Sequence, residues 1–193
     1  MNFDETYKTK KFSQWNNLKK YVMLHHTGST ASSLNQVKYL AYNPTQVSCH
    51  YVVGRWWEVR KLWSDDRIMW HAGKWSYQWI NDTMNYHAIG IEVCSDGYGY
   101  SNAQRKAVRE LASYLINKYA IDVQDIIRHL DYTSRKWDIW DNFWNNEYKT
   151  FYEYQFSYLE EEIQNPEPIS GIYSGTIYHS DWVTPLKINL EIG

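Results

Sequence analysis

Residues 20–25 read Lys-Tyr-Val-Met-Leu-His, and a second histidine, His26, and Thr27 follow at once. An apolar run this short and this rich in β-formers describes a central strand. Because the run stops on His25, it places that side chain rigidly at a strand end. Working outward, Ser33-x-x-Gln36 is a capping-box pattern, and Leu34, Val37, Leu40 and Ala41 repeat at helical spacing until Asn43-Pro44 stops the helix. His50–Arg55 and Trp57–Leu62 form the two arms of an expected hairpin, with the turn near Gly54-Arg55. Residues 64–87 are polar, aromatic and irregular, which describes a long functional loop.

Ile89–Cys94 is a further strand, interrupted by the single carboxylate of Glu92. From Ala103 onward, Ala107, Val108, Leu111, Ala112, Leu115, Ile116 and Tyr119 mark one face of a long helix. Ile126–Arg128 is a short strand carrying His129 at its end, and Trp140, Phe143, Trp144, Tyr148, Phe151 and Tyr152 describe a second long helix running to Glu162. Strands alternating with helices make an α/β domain. Asn165-Pro166-Glu167-Pro168 breaks the pattern, so residues 1–164 form one domain and 165–193 a linker and C-terminal extension. That extension is Gly-punctuated and strand-like but too short to bury its own core. It is either a β-rich extension or the start of a truncated module, and it offers alternating residues that suit adding a strand to a sheet edge or reaching a partner.

The chain has 193 residues, and its 20 Lys and Arg nearly balance 22 Asp and Glu. That balance argues against nucleic acid as the main ligand. Eleven Trp and eighteen Tyr exceed what a core of this size needs, and exposed rings suit stacking on sugars or peptides. The basic N-terminal residues lead into no apolar stretch, so neither a signal peptide nor a membrane span is expected. Cytosolic synthesis follows as the expectation. Cys49 and Cys94 make no disulfide framework and read as buried free thiols.

Three separated pieces carry the chemistry: His25-His26-Thr27, Arg128-His129 and Lys136-Trp137-Asp138. Two imidazoles and a carboxylate are the donor set of a hydrolytic zinc centre that keeps a position open for water. On residues alone, His25 and His26 compete for one place, since neighbours on a strand face opposite ways. Asp138 has helix capping as its alternative, and Lys136 a solvated surface position.

The segments YVMLHHTGST from Tyr21, SCHYVVGR from Ser48, WHAGKW from Trp70, AIGIEVC from Ala88 and RHLDYTSRKWD from Arg128 resemble, in the same order, the type 2 N-acetylmuramoyl-L-alanine amidases. That family includes phage amidase-type lysozymes and peptidoglycan recognition proteins. The resemblance implies a single central mixed β-sheet flanked by helices, with Zn2+ held by His25, His129 and Asp138. It implies Glu92 as the catalytic acid–base and Lys136 as the stabiliser of the developing oxyanion. His71, Trp70, Trp75 and Trp79 are the expected substrate contacts, with loop stabilisation as the alternative for His71, and peptidoglycan or its muropeptides the substrate. Two departures stand out: Cys49 occupies a position where phage members often have tyrosine, and Ile139-Trp140 follows Asp138 in place of Pro-Gly. The role that the resemblance implies is that of a phage endolysin or virion-associated lysin, made in the host cytoplasm and acting on the cell wall after release or as part of a virion, with the C-terminal stretch reaching a virion or cell-wall partner. The alternatives are a non-catalytic peptidoglycan-binding module and a structural virion component with an amidase-like domain.

Overall fold

Tyr21–His26 forms strand β2, whose four central residues are almost wholly removed from water. The computed structural model describes residues 3–73, 84–95 and 100–132, together with the backbone of two strands at 172–178 and 185–191. In chain order the elements are β1 (Phe12–Asn16), β2, helix α1 (Ser33–Tyr42), β3 (Tyr51–Val53), β4 (Val59–Lys61), β5 (Arg67–Met69), β6 (Ala88–Val93), helix α2 (Asn102–Tyr119), β7 (Ile126–Arg128) and the short helix α3 (His129–Tyr132). The protein divides into two compact units, Met1–Gln155 and Phe156–Gly193.

Among the described residues of the first unit, the main sheet runs β4-β3-β6-β2-β7. β3, β6, β2 and β7 are parallel, and β4 folds back antiparallel on β3. The sheet is therefore mixed, with its parallel part buried on both faces, as its uninterrupted apolar runs require. Side-chain alternation sorts the two faces. Val22, Leu24, Tyr51, Val53, Ile89, Ile91 and Val93 pack with Val108, Leu111, Ala112 and Leu115 of α2. Val52 turns the other way, against Val37 and Leu40 of α1, together with Cys49, Leu62 and Cys94. Met23 and Ala88 also lie on that second face, where they meet Ala72, Met84 and Tyr132.

Two local details differ from the sequence reading. The N-cap of α1 is Ser32, whose hydroxyl accepts from Asn35 N at 3.3 Å, one residue before the expected cap. Ser33 is buried, and its hydroxyl donates to Glu58 instead. Residues 64–87, expected to be irregular, contain β5, which pairs antiparallel with β1 as a separate two-stranded ribbon, and a 3-10 turn at Met84–Tyr86. Neither run is long or alternating enough to declare itself: β5 has only three residues, and its partner lies more than fifty residues upstream. The expected helix from Trp140 and the expected break at Asn165–Pro168 lie outside the described residues. In the second unit, β8 (Ile172–Tyr178) and β9 (Pro185–Glu191) form an antiparallel pair, with Ile172 opposite Glu191 and Tyr178 opposite Pro185.

One buried ion-pair network ties α2 to the hairpin of β3 and β4. The Asp65 carboxylate is 1 % exposed and accepts from Tyr51 OH at 2.6 Å and Tyr119 OH at 2.7 Å. Lys61 and Lys118 reach it at 3.0 and 3.2 Å. Burial alone would push this carboxyl up, but the two phenol bonds and the Lys61 charge outweigh it and hold the pKa below its ordinary 3.8. Its stabilisation is thus present above pH 3.8 and is lost as the pH falls through the depressed folded-state value. Asp65→Ala strands the buried phenol of Tyr51, the half-buried phenol of Tyr119 and Lys61, and should cost about 3–5 kcal/mol. Urea unfolding at neutral pH and near pH 3 tests this: the gap between wild type and variant should be wide at neutral pH and narrow in acid.

Candidate active site

The register of three neighbouring parallel strands puts the expected catalytic residues on one rung. His25 lies level with Glu92 of β6, and Leu24 lies level with Arg128 of β7, so His129 arrives beside His25 one step later. All three residues sit at the carboxyl ends of their strands, where open α/β sheets carry their ligands. His25 is 3 % exposed, His129 is 1 % exposed and Glu92 is half-buried.

The two imidazoles converge. Nδ1 of His25 lies 3.1 Å from Nδ1 of His129, with the rings edge to face. His26 turns to the opposite face, where its Nδ1 meets Tyr100 OH at 2.7 Å and burial lowers its pKa. The strand alternation thus selects His25 as the partner of His129. Arg128 is occupied by Asp131, whose carboxylate accepts from the Arg128 guanidinium at 2.6 Å and from its backbone N at 2.8 Å. That clasp starts α3 and fixes the turn bearing His129.

His71 packs behind His25 and is 4 % exposed. Its Nδ1 lies 2.9 Å from His25 Nε2, and its Nε2 lies 3.3 Å from the Ala88 carbonyl. His71, for which substrate contact and loop stabilisation were both open, lies inside the protein with both ring nitrogens engaged. Trp70 is half-buried, and its backbone N donates to Ser48 Oγ at 2.9 Å. Trp75, Trp79, Lys136 and Asp138 lie outside the described residues. Cys49 is fully buried, its Sγ 3.2 Å from the Tyr51 carbonyl, and burial pushes the thiol well up. Cys94 is likewise pushed up to about 12, chiefly by burial. Neither thiol has the ionised character of a nucleophile.

Three residues around the site passed unnoticed in the sequence. Asn85 accepts from the backbone N of His71 at 2.9 Å and of Ala72 at 2.7 Å, and donates to the Gly73 carbonyl at 3.0 Å, clamping that loop. Gly90 leaves room for the His71 ring, because a Cβ there would stand 2.6 Å from Cγ of the imidazole. His50 accepts from Gly90 N at 2.9 Å through Nδ1 and donates to the Arg67 carbonyl at 2.9 Å through Nε2, joining β6 to β5. The only advance sign was the repeated pairing of polar side chains with apolar runs.

Two nitrogens bound at 2.0–2.1 Å to a tetrahedral zinc stand about 3.3 Å apart, close to the 3.1 Å between His25 and His129. Facing imidazole nitrogens on rigid strand ends therefore fit such an ion. Among the described residues, no group of three or more His, Cys, Asp or Glu is arranged to hold a metal, and the third expected donor, Asp138, falls beyond them.

Residues 15–140 match the family model Amidase_2, described as N-acetylmuramoyl-L-alanine amidase. The chain belongs to this family. It is 26% identical over 118 residues to the N-acetylmuramoyl-L-alanine amidase CwlA of Bacillus subtilis, a match covering 60% of the chain and 41% of CwlA. A similar match, also 26% identical over 118 residues, covers 60% of the chain and 35% of the amidase XlyB from the same organism. The chain thus spans less than half the length of these relatives. A mutant endolysin from Bacillus subtilis has the same fold, with a TM-score of 0.63 at 20% identity over 78% of this chain and 96% of that one.

His50 gives this amidase-family fold a measurable acid sensitivity. Burial, only partly offset by the bond to the Arg67 carbonyl, lowers its pKa from 6.5 to about 4. The unfolded chain takes up this proton near pH 6.5 and the folded one only near pH 4, so the stabilisation is complete above 6.5 and disappears toward 4. At 1.36 kcal/mol per pKa unit the loss is about 3 kcal/mol. Denaturant unfolding from pH 7 to pH 4.5 should show a shallower slope in His50→Gln than in wild type. Parallel slopes would remove His50 as the cause.

Proposed function

We propose that the protein is a zinc-dependent amidase that hydrolyses the bond between the lactyl group of N-acetylmuramic acid and the L-alanine of the peptidoglycan stem peptide. The observation that carries this reading is the pair of facing nitrogens on His25 and His129, set level with Glu92 in a chain of the amidase family. His25, His129 and Asp138 are the residues that hold the ion. When bound, zinc polarises the substrate carbonyl and makes water acidic enough to lose a proton near neutral pH.

The chain's own residues supply the remaining steps. Glu92, at the strand end beside His25, accepts a proton from the attacking water and returns it to the departing amine nitrogen of L-alanine. Lys136 sets its ammonium against the negative charge that grows on the carbonyl oxygen. Half-burial of Glu92 suits a group that must exchange protons with substrate while being shielded from bulk water. Trp70, Trp75 and Trp79 line the glycopeptide groove. Likeness of fold to an endolysin supports a lytic role in releasing phage from the host wall. Residues 165–193 serve docking or targeting, since every residue assigned to the chemistry precedes them.

Elemental analysis of the purified protein should find one zinc per chain, and alanine at His25, His129 or Asp138 should remove both the zinc and the activity. Glu92→Gln should keep its zinc and lose on the order of a hundredfold or more in rate. Lys136→Ala should lower kcat more than it raises KM. Mass spectrometry of digested peptidoglycan identifies the bond: products cut elsewhere, or full turnover by zinc-free protein, would sink the reading. Removal of residues 165–193 should leave cleavage of soluble muropeptides intact and weaken action on whole walls. Loss of soluble-substrate cleavage in a folded, zinc-bound truncation would instead put the extension in the groove.

A further inference from the structure

The three imidazoles of His25, His71 and His129 form a chain with a direction, and one backbone carbonyl sets that direction. The Ala88 carbonyl can only accept a hydrogen bond, so the His71 Nε2 that lies 3.3 Å from it carries a proton. Neutral His71 then bears its lone pair on Nδ1, and the His25 Nε2 at 2.9 Å must be the donor to it. Neutral His25 in turn has its lone pair on Nδ1, the atom that faces Nδ1 of His129 at 3.1 Å.

We propose that His71 is a positioning residue that, anchored on the Ala88 carbonyl, fixes the tautomer and ring orientation of His25 so that its Nδ1 lone pair is the one presented toward His129. The proposal rests on the reading of His25 as a zinc ligand for its consequence, but not for its geometry. Outer partners of this kind raise ligand basicity and cut the cost of orienting the ring, and their loss typically weakens metal binding 10–100-fold.

The surroundings are built for this ring. Gly90 is the residue beneath it, and a Cβ at that place would press to 2.6 Å against the imidazole. The loop carrying His71 does not need the ring to hold its shape, because Asn85 already takes the backbone N–H groups of His71 and Ala72. What the imidazole contributes is an acceptor fixed in place behind His25. Unlike a carboxylate in the same role, it brings no charge of its own into a buried site.

Two measurements separate positioning from mere packing. In zinc-free protein, long-range 1H–15N spectra of the imidazoles should show His25 as a single Nε2–H tautomer in wild type and a mixture of tautomers in His71→Ala. Competition titration with zinc alone should find affinity 10–100-fold weaker in His71→Ala. In His71→Asn, whose Oδ1 stands where Nδ1 was and can only accept, both the tautomer and most of the affinity should return. His71→Asn also keeps the test decisive should the alanine variant fail to fold. An unchanged His25 tautomer in folded His71→Ala, or an asparagine variant no better than alanine at equal melting temperature, would overturn the proposal. If wild type binds no zinc, the functional reading fails, while the tautomer spectra still decide the role of His71.

Discussion

Met23 lies level with Gly90 and Ile127, and Leu24 with Ile91 and Arg128, so β2 is gripped between β6 and β7 from Val22 to Leu24. A one-residue slip in this parallel ladder would exchange the two faces. A slip of β2 would take Leu24 out of the α2 core and turn His25 into it, and a slip of β6 would do the same to Ile91 and Glu92. Neither change is tolerable, since each buried aliphatic side chain contributes roughly 1.5–3 kcal/mol and an unpaired carboxylate in that core costs more. The apolar packing under α2 therefore does more than stabilise the sheet. It fixes which of two adjacent histidines meets His129, and so determines the site from the opposite face.

Polar groups inside the fold follow two different rules. Around Asp65 the interior holds full charges, and two lysines with two phenols offset the desolvation of one carboxylate. Around His25 the interior holds imidazoles linked to each other and to backbone groups, and His50 beside them is held neutral by burial. The first arrangement locks α2 to the hairpin and has no open valence. The second ends in the His25 and His129 nitrogens 3.1 Å apart, sharing one proton while neutral and able to turn both lone pairs to a cation once it displaces that proton. The difference in protonation economy is what separates a structural cluster from a candidate metal centre in this protein.

The elements that the sequence announced are those with a full period of pattern. β2, β6 and α2 were legible because four or more buried residues in each follow a strand or helix rhythm. β1, β5 and the cap of α1 were not, since β5 is three residues long and Ser32 and Ser33 are equivalent until tertiary contacts choose between them. At the site, His25, Glu92 and His129 could be found because each interrupts or ends an apolar run. Asn85 and Gly90 act through backbone clamping and close approach, which have no periodic signature. His71 was visible as a residue with substrate contact and loop stabilisation both open, and only the fold reveals that the Ala88 carbonyl and His25 bracket its ring.

This division also explains how a fold can be shared at about one residue in five with an endolysin. Most positions in β2, β6 and α2 need only be apolar and of suitable volume, and cores tolerate such exchanges at modest cost. The site asks for far less sequence but far more exact placement: two histidines on neighbouring strand ends, a carboxylate level with one of them, and a residue without a side chain where the His71 ring lies over the sheet. Errors of even 1 Å at such a site cost rate heavily. Accuracy here comes from the backbone ladder and the Asn85 clamp, both made through backbone groups and independent of the solvent-facing side chains. Placement of the chemistry thus rests on register, which the backbone ladder carries whatever side chains face solvent at positions such as Trp56 and Trp57.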